Sequence, residues 1–90
     1  MKGIFVTLFD SKTERYTNPT AVETNEAAIR QFGLLVNDDR GTLVSLHPED
    51  FSLFRIGSYV DHTIVPEPRF CLANGIDVKR SAPVVAEVSK

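Results

Sequence analysis

Two histidines and their neighbouring carboxylates are the side chains whose types could bind a metal ion. His47 precedes Glu49 and Asp50, and His62 directly follows Asp61. The two histidines lack the short HxH or HxxxH spacing that places two imidazoles on one strand or helix face. Both are predicted in turns, so we interpret them as surface residues and predict no metal site.

Nucleophilic and acid–base chemistry has little support in the sequence. Cys71 is the sole cysteine, and a Cys–His pair with His62 is the one nucleophilic arrangement to consider. Because Phe70 and Leu72 flank Cys71, a buried and inert thiol is the preferred interpretation. The acidic pairs at 38–39 and 49–50 are adjacent residues in predicted loops, and the glycines are scattered. We therefore predict that the chain is not an enzyme and has no cofactor.

Arginine and aromatic residues form the remaining candidate site. Rings stack on unpaired bases while cations follow the phosphates, so this mixture is typical of single-stranded DNA binding. Arginine and tyrosine are also enriched at protein interfaces, and both interpretations stay open. The residues concerned are Arg15, Tyr16, Arg30, Arg55, Tyr59, Arg69 and Phe70.

The composition bounds the class of protein. Ninety residues, 42% hydrophobic and 24% charged, are typical of one small globular domain. The net charge of -2 removes the usual argument for nucleic-acid binding, which is an excess of basic residues. No run of about 18 apolar residues occurs, so neither a membrane span nor a secretory signal is predicted. We expect a cytoplasmic protein.

Hydrophobic periodicity predicts the elements that would position these residues. Residues 3–9 alternate as a strand, and residues 15–23 return as an edge strand or one that breaks at Pro19. Residues 25–36 have apolar side chains at helical spacing behind a cap at Thr24 or Asn25. Residues 42–46 fit a brief strand or a helical turn. Residues 51–60 form a strand that is apolar on both faces.

The last third of the chain is predicted to contain a hairpin. Residues 61–63 are the turn, and residues 64–73 are the partner strand, interrupted by Pro66 and Pro68. Asn74-Gly75 favours a tight turn with positive φ. Residues 81–90 are predicted to be a flexible tail, which leaves one domain over residues 1–80.

The predicted fold class is α+β, with a small antiparallel sheet of about four strands packed on one helix in the order β-β-α-β-β. Apolar side chains pointing away from the helix would form a patch that a monomer rarely exposes, so a homodimer is predicted, either sheet face on sheet face or joined along an edge strand. The predicted dimer interface is Phe5, Phe9, Leu53 and Tyr59. The predicted core is Ile4, Val6, Leu8, Val22, Ala28, Ile29, Phe32, Leu35, Val36, Phe54 and Ile56.

Three segments together resemble a known family. They read FVTLFDSK at 5–12, EAAIRQF at 26–32 followed by VND at 36–38, and HPEDFSLFRIGSY at 47–59. In this order and spacing they are similar to the small nonstructural protein of gokushovirus-type microviruses, which are phages with single-stranded DNA genomes. The resemblance covers residues 3 to 61. The glycine of the family's usual Asp-Asp-x-Thr-Gly hairpin is absent here, where Asp61 leads into His62-Thr63-Ile64.

The resemblance implies a nonstructural role in the host cell cytoplasm, commonly assigned to single-stranded DNA binding during genome synthesis or packaging, and it brings no catalytic residues. The alternative function is a non-enzymatic adaptor for a viral or host protein. The candidate DNA-binding residues are Arg15, Tyr16, Arg55, Arg69, Lys79 and Arg80.

Overall fold

The computed structural model describes residues 1–79, which form an antiparallel sheet covered on one side by helices. The strands are β1 (Lys2–Asp10), β2 (Arg15–Tyr16), β3 (Thr20–Val22), β4 (Phe51–Val60) and β5 (Thr63–Asn74). The helices are α1 (Asn25–Val36), α2 (Leu43–Leu46) and α3 (Gly75–Val78), and a 3-10 turn spans Pro48–Asp50. The predicted tail at 81–90 lies outside the described residues. Over residues 1–79, no helix is long and apolar enough to cross a membrane.

The sheet confirms the predicted α+β class and has β1 at its centre. One side of β1 pairs with β2 and then β3, the other side pairs with β4, and β5 pairs with the outer side of β4, all antiparallel. The predicted return strand is split into β2 and β3 around Pro19. Proline has no N–H to donate to the neighbouring strand, so the ladder stops there.

Helix α1 covers the sheet and begins where the sequence predicts. The Thr24 hydroxyl accepts a hydrogen bond from the Ala27 N–H at 3.0 Å, which satisfies one unpaired donor of the first turn. Ala28, Phe32 and Val36 follow at helical spacing and are buried. Residues 42–46, which the sequence left open, contain the helical turn α2.

Strand β4 changes face in the middle because of a bulge. Phe5 lies opposite Gly57 while the next residue, Val6, lies opposite Arg55, so Ile56 has no partner on β1. A one-residue skip moves every later side chain to the other face. Leu53 therefore faces the helices, although Tyr59, six positions on, faces away from them and contacts Phe5.

Because of this bulge, the core residues predicted on β4 are wrong. Phe54 and Ile56 were predicted to pack under the helix, but both are only half-buried and neither belongs to the core. Leu53, predicted to face away from the helix, is buried there instead. The observed core is Ile4, Val6, Val22, Ala28, Phe32, Val36, Val44, Phe51 and Leu53, with Leu8, Ile29 and Leu35 packed against it.

The predicted turn with positive φ at Asn74-Gly75 is wrong, because α3 begins at Gly75. Gly75 is buried against the backbone of the 3-10 turn. A Cβ at this position would overlap the Pro48 carbonyl oxygen and lie 3.1 Å from the Phe51 carbonyl oxygen. The glycine is needed for close approach of two backbones and not for its φ angle.

Candidate nucleic-acid interface

The sheet face opposite the helices carries a cluster of three aromatic rings, which we call the aromatic cluster. Phe9 of β1 lies 4.8 Å from Tyr16 of β2, measured between ring centroids, and Phe54 of β4 lies 6.3 Å from each. The rings are tilted or edge-to-face, as aromatic pairs prefer. Tyr16 is 47% exposed, while Phe9 and Phe54 are half-buried. The cluster is therefore open to solvent at Tyr16.

Arg69 of β5 lies across this cluster. Its guanidinium carbon is 4.9 Å from the Phe54 ring centroid and 5.9 Å from that of Phe9, and Nη1 donates a hydrogen bond to the Tyr16 hydroxyl. These distances are typical of cation–π contacts. Among residues 1–79, no carboxylate pairs with this guanidinium. An exposed cation thus lies over the aromatic rings with donors to spare for an anion.

Two threonines hold β2 in the position that brings Tyr16 beside Phe9. The buried Thr7 hydroxyl donates to the Thr17 carbonyl at 2.7 Å, and the Thr17 hydroxyl accepts from the Leu8 N–H at 3.0 Å. The Thr17 N–H donates to the Leu8 carbonyl at 2.8 Å. These bonds fix the register of a strand only two residues long, so the position of the Tyr16 ring is set by the sheet.

Arg55, a predicted DNA-binding residue, lies elsewhere. Its Nε donates to the Glu67 carboxylate at 2.8 Å, and Nη1 donates to Asn25 Oδ1 at 3.1 Å beside the start of α1. Glu67 can reach it because the β4–β5 register jumps from Gly57–Pro66 to Arg55–Phe70, and residues 67–69 lie in the gap. The charge of Arg55 is thereby matched to an acid and serves the fold.

We expect the Arg55–Glu67 pair to make stability acid-sensitive. The Arg55 guanidinium, with a smaller contribution from the Ser58 hydroxyl, lowers the pKa of the Glu67 carboxyl by hydrogen bonding. A depressed carboxyl pKa contributes stability above the unfolded value of 4.5 and loses it as pH falls below that value. Glu67→Gln should therefore cost more stability at neutral pH than at pH ~3.

Chemical denaturation at the two pH values measures this difference. Glu23→Gln is the matched control, because Glu23 is exposed and makes no ion pair among residues 1–79. An equal loss for Glu67→Gln at both pH values would contradict a depressed pKa.

The other predicted cations do not join the aromatic cluster. Arg15 pairs with Asp10 in the β1–β2 register, one residue out of phase with Tyr16, so strand alternation places it on the opposite face. Lys79 Nζ donates to the carbonyls of Val36 and Ser45 at 3.2 and 3.3 Å, which braces the C-terminal end of α1. Arg80 lies outside the described residues. Of the predicted set, only Tyr16 and Arg69 come together.

Three of the four predicted dimer residues lie on the face of the aromatic cluster. Phe9 belongs to the cluster, and Phe5 and Tyr59 form a second ring pair, 5.4 Å apart. Leu53 is excluded by its burial in the core. The homodimer itself stays a prediction.

The candidate metal and nucleophile residues are only partly brought together. His47, Glu49 and Asp50 each place one potential ligand atom within 4.8 Å of the others, but His47 and Glu49 are exposed. His62 lies at the other end of β4, in the turn before β5. Cys71 pairs with Phe54 in the β4–β5 register, far from that turn, and it is exposed. The interpretation of Cys71 as a buried thiol is wrong, because β5 is an edge strand.

Phe9 and Phe54 are the cluster residues that the sequence did not assign to DNA. Phe9 was predicted at the dimer interface, and its partnership with Tyr16 could have been found by pairing β1 with its return strand. Phe54 was predicted in the core, and only the bulge explains why it is not.

The comparison with known families identifies the chain's relationships. Residues 4–78 match the family described as Phage ORF5 protein, which covers well over half of the chain. The chain belongs to the phage ORF5 protein family. No curated protein and no solved structure is significantly similar to it. Family membership confirms the prediction of a small phage protein.

Proposed function

We propose that this phage protein is a nonstructural protein of the gokushovirus type that binds single-stranded DNA on the aromatic cluster. The observation that carries the proposal is Arg69, which lies over Phe54 and Phe9 and is hydrogen-bonded to Tyr16. Aromatic rings stack on bases of any sequence, and a guanidinium can stack on a base or bind a phosphate.

The small number of cations on this face defines how the proposed binding should respond to salt. Among residues 1–79, Arg69 is the cation that contacts the rings of the cluster, and the chain carries a net charge of -2. Each neutralised phosphate of a single strand contributes a slope of about -0.7 to the dependence of log affinity on log salt. With one or two phosphates contacted, the slope should be about -1, much shallower than that of a basic groove.

A fluorescence anisotropy titration tests the proposal. The probe is labelled oligothymidylate of about 20 nucleotides, longer than the sites of about 4–16 nucleotides typical of single-strand-binding folds. We expect micromolar binding at low salt, the shallow salt slope, and weaker binding to a hairpin duplex whose bases are paired. Absence of micromolar binding at low salt would end the proposal.

An adaptor function is the second candidate and has its own supporting surface. Edge strand β5 exposes Ile64, Val65 and Phe70, at 65%, 46% and 64% of their area. Apolar side chains on a free strand edge favour pairing with another chain, including a second copy in the proposed homodimer. A pull-down that survives nuclease treatment, without DNA binding, would favour the adaptor. Light scattering that shows a compact monomer at micromolar concentration would contradict the homodimer.

A further inference from the structure

A second pair of aromatic rings lies on the same sheet face, at the other end of β1. The rings of Phe5 and Tyr59 are 5.4 Å apart and inclined by 55°. Tyr59 lies across Gly3, where a Cβ would come 2.6 Å from the phenol oxygen and 2.7 Å from the adjoining ring carbon. The missing side chain of Gly3 is what allows the Tyr59 ring to lie against β1.

This ring pair forms one wall of an open cleft of about 330 Å³. The cleft is bounded by β1, β3 and the β4–β5 turn. Its lining residues are Phe5, Ala21, Tyr59, Asp61, His62 and Ile64. Aromatic and aliphatic walls with polar groups at the edge match a nucleobase, which has apolar faces and hydrogen-bonding edges.

Asp61 lies in the cleft, but its repulsion of DNA phosphates is reduced by an ion pair. Asp61 Oδ1 is 2.7 Å from the N-terminal ammonium of Met1, and both groups are exposed. The ion pair offsets the carboxylate charge locally. The cleft is thus open to a polyanion that brings a base into it.

The distance between the two aromatic groups along β1 allows one DNA strand to contact both. Phe5 and Phe9 lie on the same face, four residues apart, which corresponds to about 13 Å along a strand. Stacked bases are about 3.4 Å apart, so this distance equals about four base steps, and fewer if the strand is extended. A bound oligonucleotide of about five stacked nucleotides can therefore reach both.

We propose that the Phe5–Tyr59 cleft is a second site that binds a base of the same DNA strand. The DNA would follow β1 from the aromatic cluster to the β4–β5 turn. This inference rests on the proposed function and deepens it, because it defines a path and a minimum length for the ligand. Binding should strengthen with oligonucleotide length up to about five nucleotides and change little per site beyond that.

The tyrosine content allows each site to be observed separately. The chain has two tyrosines, Tyr16 and Tyr59, and no tryptophan. A base stacked on a phenol ring quenches its emission. Tyr16→Phe leaves Tyr59 as the reporter of the cleft, and Tyr59→Phe leaves Tyr16 as the reporter of the aromatic cluster, with a ring retained in both variants. We expect oligothymidylate to quench both variants.

An affinity measurement complements the emission. Tyr59→Leu keeps an apolar side chain but cannot stack, so it should weaken binding about 5- to 150-fold, the range of base–aromatic stacking. Val60→Ala is the matched control, because Val60 is 55% exposed on the same strand and lies outside the cleft. Thermal unfolding confirms that the variants are folded.

The outcomes separate this inference from the proposed function. Quenching of Tyr59 together with weaker binding by Tyr59→Leu supports the second site. Quenching of Tyr16 alone, with unchanged affinity for Tyr59→Leu, overturns the second site and leaves the aromatic cluster as the DNA-binding site. No binding by the unsubstituted protein overturns the proposed function, and this inference with it.

Discussion

Phe32→Ala is expected to lower the free energy of unfolding by about 3–5 kcal/mol, the usual cost of removing a buried phenyl ring. Phe32 is 3% exposed and lies where α1 contacts the sheet, in the middle of the core. Small domains are stable by about 5–15 kcal/mol, so this loss is a large share of the total. Urea denaturation followed by circular dichroism measures it.

Leu34→Ala on the same helix is the matched control. Leu34 is 60% exposed, so its replacement should change the free energy of unfolding by about 0.5 kcal/mol or less. Equal losses of unfolding free energy for the two variants would contradict the burial of the Phe32 face of α1 against the sheet.

Tyr16→Ala is expected to weaken binding of oligothymidylate by about 5- to 150-fold. Base–aromatic stacking contributes about 1–3 kcal/mol per base, and 1.4 kcal/mol corresponds to a tenfold change in affinity. The substitution also removes the hydroxyl that accepts the hydrogen bond from Arg69. The anisotropy titration at low salt measures the change, and Tyr16→Phe should retain most of the affinity because its ring remains.

Variants of Arg69 distinguish the contribution of its charge to DNA affinity from that of its planar guanidinium. Arg69→Lys keeps the charge but loses the flat guanidinium, so it should bind more tightly than Arg69→Ala and less tightly than the unsubstituted protein. Arg30→Ala is the control for net charge, because Arg30 is exposed on α1, and the helices cover the opposite face of the sheet. Equal losses for Arg30→Ala and Arg69→Ala would indicate a general charge effect and contradict a site at the aromatic cluster.

The sequence predicted those parts of the fold that depend on local signals. The bounds of α1 follow from the Thr24 cap and from apolar side chains at helical spacing, and both signals act within the helix. The break at Pro19 follows from a missing N–H. The buried face of β1 follows from alternation alone, since no bulge changes the phase of Ile4, Val6 and Leu8.

The remaining features depend on contacts between distant segments. Strand β4 is apolar at both odd and even positions, so its pattern cannot indicate which residue lies in the bulge. The same limitation applies to the site. Tyr16 lies opposite Phe9 because the short strand β2 pairs with β1. The approach of Arg69, however, requires the irregular β4–β5 pairing. That irregular pairing also places Glu67 beside Arg55, which removes Arg55 from the candidate cations.

The central position of β1 has a consequence for how the chain folds during synthesis. Its apolar residues are synthesised before those of β4, yet Phe5 pairs with Gly57, 52 positions later in the chain. At about 5–20 residues per second, β1 waits several seconds for its main partner. Pairing across so long a separation is also slow to form. The strand that organises the finished sheet is therefore exposed to aggregation in the nascent chain until β4 has been made.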